Sequence, residues 1–143
     1  MDFNNFTKLF LETSKFRRAI ENCNKSNLPE SFHSFPKGSC GDASIILAHY
    51  LNKKGFGDFD YVLGVRMGKL HGWLRQNEII IDITADQFAD NDEKVIITLN
   101  PKWHNEFKVE KQHNADLNIY DESTKSKLLI TYNEILKNIN SNE

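Results

Sequence analysis

The chain has 143 residues with 18 basic and 20 acidic side chains, a formal charge of −2, 39% hydrophobic and 27% charged residues. A chain of that length favours a single domain over residues 1–143 and buries about 68–70% of its unfolded surface. The composition excludes a disordered polymer and carries no basic footprint for nucleic acid.

Phe6, Leu9, Phe10, Phe16 and Ile20 approximate one helical face, predicting a first helix over residues 3–22. Lys15, Arg17 and Arg18 form a basic cluster flanked by Glu12 and Glu21, which reads as a solvated helix face. Residues 24–37, with Pro29 and Pro36, form a loop. Ala43, Ile46, Leu47, Tyr50 and Leu51 recur at spacings of three and four and predict a second helix, with Gly55 where a C-terminal cap belongs. Residues 61–67 are β-prone, and Gly68-Lys69 reads as a turn. Residues 70–75 and 79–83 read as further strands, with Gln76-Asn77 between them. Residues 95–99 and 107–109 are weaker strand candidates. A closing helix is expected over 128–139, with fraying at 140–143. Helices followed by antiparallel strands give an α+β class.

The N-terminus, Met1-Asp2-Phe3-Asn4-Asn5, has neither a basic n-region nor an apolar h-region, and no apolar run approaches bilayer length. Two cysteines, Cys23 and Cys40, are too few for a disulfide framework. The expectation is a cytoplasmic protein without a membrane partner, and nothing implies a cofactor.

Cys40 lies in Gly38-Ser39-Cys40-Gly41-Asp42, directly before the second helix. A helix N-terminus presents unpaired N–H groups and partial positive charge, both of which favour thiolate over thiol. The same N–H groups can hold an oxyanion, and the glycines leave the sulfur approachable. The alternative is a buried structural cysteine. Cys23 ends the first helix, where the dipole raises a thiol pKa, and reads as structural.

Of five histidines, His71 has the most suggestive setting. With a turn at Gln76-Asn77, Arg75 pairs with Glu78 and His71 falls opposite Asp82, close enough for imidazole and carboxylate to hydrogen-bond. A turn one residue later puts Thr84 opposite His71 instead. Trp73 shares the His71 face, as a wall of the site or as core. Gln87, Asp86 and Thr84 follow closely without an assignable role. His33, His49, His104 and His113 read as surface residues.

A Cys at a helix N-terminus, then His71-x-Trp73 on a strand, then Asp82-x-Thr84 on the next, resembles the transglutaminase-like branch of the papain-like cysteine hydrolase superfamily over residues 35–88. The order is also similar to that of arylamine N-acetyltransferases. The resemblance implies a papain-like fold, with helices packed on an antiparallel sheet. It implies acyl transfer through a thioester on a protein, peptide or amide substrate, by a peptidase, amidase, protein deamidase or transglutaminase. Cys40 would attack, His71 would take and return the proton, and Asp82 would orient His71. Papain-like enzymes often place a Gln before the Cys as oxyanion donor. None precedes Cys40, so the second donor must come from the backbone or from elsewhere. The rival reading is a non-catalytic binding or immunity-type module on the same fold. A metal site built from Cys23, His33, Cys40 and His71 fits no standard zinc spacing.

Overall fold

The computed structural model describes residues 2–141. Helix α1 (Phe3–Asn22) starts where the Asp2 carboxylate accepts the Asn5 backbone N–H at 2.8 Å, and it turns Leu9, Phe16 and Ile20 into the core. The loop that follows contains two short 3-10 turns, Lys25–Asn27 and Glu30–Phe32. Helix α2 (Cys40–Leu51) is apolar on most sides and correspondingly buried. It runs into a π turn, Asn52–Phe56, where Gly55 adopts φ 92°, a left-handed geometry that glycine takes freely. Helix α3 (Glu122–Ser141) begins ahead of its first buried apolar residue, Leu128, because Asp121 caps it by accepting the Thr124 N–H at 2.8 Å. The helix therefore exceeds the 128–139 expected. Asn140 and Ser141 are helical, and residues 142 and 143 lie outside the described residues.

Among the described residues, five strands form one antiparallel sheet: β1 (Asp60–Arg66), β2 (Lys69–Gln76), β3 (Ile79–Asp82), β4 (Ile96–Thr98) and β5 (Lys108–Asn114), in the order β4-β3-β2-β1-β5. The β1–β2 turn is Met67-Gly68, one residue earlier than Gly68-Lys69, with both residues at positive φ. The β2–β3 turn is Asn77-Glu78, since Gln76 pairs with Ile79. Asn77 takes φ 53° there. Asparagine tolerates that conformation far better than glutamine, which explains why the turn shifts away from Gln76-Asn77.

The three α-helices among the described residues share one core on one face of the sheet, with α2 packed on β2 and α1 against α3. Tyr61, Leu74, Ile79 and Ile81 join them in the main apolar core. Val62, Trp73 and Ile80 point the opposite way and meet Phe88, Trp103 and Phe107 from the connecting segments. Strand β3 is thus covered on both faces, and all four of its residues are buried. That double burial accounts for its unbroken Ile79-Ile80-Ile81 run. Among the described residues, no helix is long and apolar enough to cross a membrane.

Candidate active site

Leu74 pairs with Ile81. Continued along the strands, that register puts Thr84 beside His71 and Asp82 beside Trp73. Asp82 is therefore diagonal to His71 rather than opposite it, which corrects the Arg75–Glu78 pairing. The His71–Asp82 contact survives the correction, because a shift of two residues preserves the face and a diagonal neighbour stays within reach. His71 Nε2–H donates to Asp82 Oδ2 at 2.6 Å.

The Asp82 carboxylate accepts two more hydrogen bonds. The Thr84 backbone N–H donates to Oδ1 at 3.0 Å, and His104 Nε2–H donates to Oδ2 at 2.7 Å. His71 is 0% exposed, Asp82 1% and His104 3%. Burial works against ionising Asp82, but the His71 charge and the two imidazole hydrogen bonds outweigh it and hold the carboxyl well below its usual range. Burial likewise opposes a charge on His71, yet Asp82 and then Cys40, each by charge and by hydrogen bonding, push its pKa up to about 9. The imidazolium is therefore the favoured form at neutral pH.

Cys40 is the first residue of α2 and is partly exposed. Ser39, the N-cap, contributes no side-chain cap, so its hydroxyl does not take the first-turn N–H groups that an oxyanion needs. Beside Cys40 lies Tyr61, whose hydroxyl sits 3.4 Å from where a Cβ on Gly41 would be. Burial first, and the Cys40 charge next, push that phenol above its ordinary range, so it keeps its proton. Gly72 makes room for it: a Cβ at position 72 would stand 2.7 Å from Tyr61 Cε1 and Cζ. On the other ring edge of His71, Nδ1 accepts from the Gln87 side-chain amide at 3.0 Å when the ring is neutral. Once Nδ1 is protonated, the amide must turn its oxygen to the ring.

No family model matches this chain, and no curated protein or solved structure matches it either.

Aromatic rings enclose the imidazole. Trp73, Phe88, Trp103 and Phe107 have ring centroids 5.1–5.8 Å from that of His71. Trp73 thus serves both as core and as wall. Gly64, directly opposite His71 on β1, admits this packing, since a Cβ there would lie 2.8 Å from Phe107 Cβ.

Two further sequence expectations need correction. His104 is a buried partner of Asp82, not a surface residue. No periodicity marked it, because it lies in a 3-10 turn, His104–Glu106, between strands. Arg17 is buried rather than solvated. It donates to both Asp86 oxygens at 2.8 and 2.9 Å and to the Ile83 carbonyl at 2.6 Å, tying α1 to the segment that carries Asp82 and Gln87. The long-range partner Asp86 hid it, since Glu12 and Glu21 were the only visible acids nearby.

Cys23 ends α1 as expected, and its Sγ accepts from Asn138 Nδ2 at 3.0 Å. His33 Nε2 bonds to the Leu28 carbonyl. Among the described residues, Cys23 and His33 form no metal-capable group with Cys40 and His71. Among the described residues, the one metal-capable group is His71, Asp82 and His104. Two ligands on one tetrahedral zinc, at 2.0–2.1 Å each, stand about 3.3 Å apart. The observed 2.6 and 2.7 Å separations are those of shared protons.

Proposed function

We propose that this chain is a cysteine-dependent acyl-transfer enzyme of papain-like, transglutaminase-like architecture. The observation that carries the reading is the buried His71–Asp82 hydrogen bond of 2.6 Å, on an imidazole whose charge state also responds to Cys40 at the start of α2.

In this reading the Cys40 thiolate attacks the carbonyl of a peptide or side-chain amide. The carbonyl oxygen takes up the negative charge of the tetrahedral intermediate, next to the first-turn N–H groups of α2. His71, protonated on Nδ1, gives that proton to the leaving amine, and the C–N bond breaks to leave an acyl-Cys40 thioester. Water or an incoming amine then attacks, with His71 accepting its proton and Cys40 departing as thiolate. Asp82 holds Nε2–H throughout and stabilises the imidazolium. Hydrolysis, deamidation and transfer share this first half and differ in the carbonyl donor and the second nucleophile.

The test is electrophilic labelling followed by acyl trapping. Iodoacetamide should modify Cys40 well before Cys23 at neutral pH. Incubation with glutamine-containing peptides and peptide amides should give an acyl adduct on Cys40 that hydroxylamine removes. A Cys40 inert to every electrophile sinks the reading and leaves the non-catalytic binding module in its place.

A further inference from the structure

His104 has no place in a three-residue site, yet it shares an oxygen with it. Its Nε2–H and that of His71 converge on the same Asp82 oxygen, at 2.7 and 2.6 Å, while Thr84 N–H holds the other. All three side chains are buried. The His104 ring is itself fixed, edge-on to Trp73 and Trp103 with centroids 4.8 and 4.9 Å away. A carboxylate can turn about its terminal bond, and a single imidazole does not fix that rotation. Three donors from three segments do: the β2 strand, the second residue past β3, and the turn before β5.

We propose that His104 is a positioning residue of this site, which locks the Asp82 carboxylate in the orientation that serves His71 and takes a share of its charge. The inference rests on the functional reading above. An oxygen shared between two donors attracts each proton less than an undivided one does. His104 therefore restrains the basicity that Asp82 confers on His71, keeping the imidazolium willing to release its proton to a leaving group. The titratable groups facing His71 are Asp82, Cys40 and His104. Those facing Asp82 are the two histidines, and the four aromatic rings around His71 carry no charge. Outside His104 a surface groove of about 390 Å³ exposes Glu93, Lys102 and Glu106. These groups are shared by every variant below and cancel in the comparison.

Two variants isolate the donor. His104→Phe keeps a ring between the tryptophans and removes the N–H. His104→Gln keeps a donor and loses the ring. The readout is the His71 imidazole titration, followed by ¹⁵N NMR on labelled protein, with Cys40 alkylation measured in parallel. His104→Phe should raise the His71 pKa by about one unit, the scale of one charge-assisted hydrogen bond. His104→Gln should return it most of the way. A His71 titration that is the same in wild type and His104→Phe overturns the inference. If His104→Phe does not fold, the wild type still answers: His104 must carry its proton on Nε2 at neutral pH, and an Nδ1–H tautomer overturns the proposal. A Cys40 that resists alkylation in the wild type defeats the functional reading instead, and leaves the His71 titration to judge His104 alone.

Discussion

Under the helices the sheet presents Tyr61, Leu74, Ile79 and Ile81 to an apolar core that also holds Phe16, Ile46 and Ile135. Its opposite face carries a small aromatic cluster wrapped around His71, Asp82 and His104. Both faces are dry. The first is held by area removed from water, which is indifferent to pH and to the direction of any one contact. The second must keep ionisable groups buried, which is tolerable only because each polar atom of Asp82 has a donor aimed at it. The same sheet thus separates a face that supplies stability from one that spends it on orientation.

The sharpest break between the two is chemical. Cys40→Ala should abolish thiol-dependent turnover, by about 10³-fold or more, while changing the urea midpoint little. Loss of stability with turnover left intact would show that Cys40 belongs to the packing.

Next come paired truncations, one per face. Phe16→Ala should cost about 3–5 kcal/mol through cavity formation. Asp82→Ala should cost a similar amount, about 3–5 kcal/mol, by stripping the buried imidazoles of their acceptor. Urea unfolding at several pH values distinguishes them. The Phe16→Ala deficit should stay constant from pH 5 to pH 10, and the Asp82→Ala deficit should shrink toward the alkaline end.

The sign of that shrinkage follows from His71, whose pKa in the folded protein, about 9, lies above its ordinary value of 6.5. Its contribution is complete below pH 6.5 and is lost as pH rises through 9. By linkage this amounts to at most about 3 kcal/mol. Asp82, with a lowered pKa, contributes above its ordinary range and loses that contribution in acid. Wild-type stability should therefore peak between about pH 4 and 6.5 as far as this pair is concerned. Flat stability from pH 6.5 to 9 would mean that His71 is not held as an imidazolium.

A smaller effect is expected where the faces are joined. Arg17→Lys keeps the charge but not the two-pronged bond to Asp86, and should cost about 1–2 kcal/mol. Because Arg17 anchors the segment after Asp82, the variant should also slow Cys40 alkylation. Smallest of all, Val109→Thr on the exposed β5 edge should stay within about 0.5 kcal/mol by thermal melting.

Local chemistry was enough to determine several features. Helix α1 spans residues 3–22 because its apolar spacing and Asp2 cap both say so, and Cys40 opens α2 because the periodic residues start just after the Gly-Ser segment. His71 and Asp82 share a face because alternation along strands depends on parity alone, which a two-residue shift leaves intact. The register itself turned on a backbone detail, the tolerance of Asn77 for φ 53°, which decided between two turns that the sequence left open.

Tertiary structure alone determined the rest. Arg17 looked solvated until Asp86 and the Ile83 carbonyl came to meet it from 66 or more residues away. His104 joined Asp82 from 22 residues along the chain, past the short strand β4, and Gln87 reached His71 Nδ1 from a turn. The physical reason is common to all three. Periodicity records which side of an element is dry, whereas a hydrogen bond between distant segments depends on where loops bring their side chains, and loop residues carry no period.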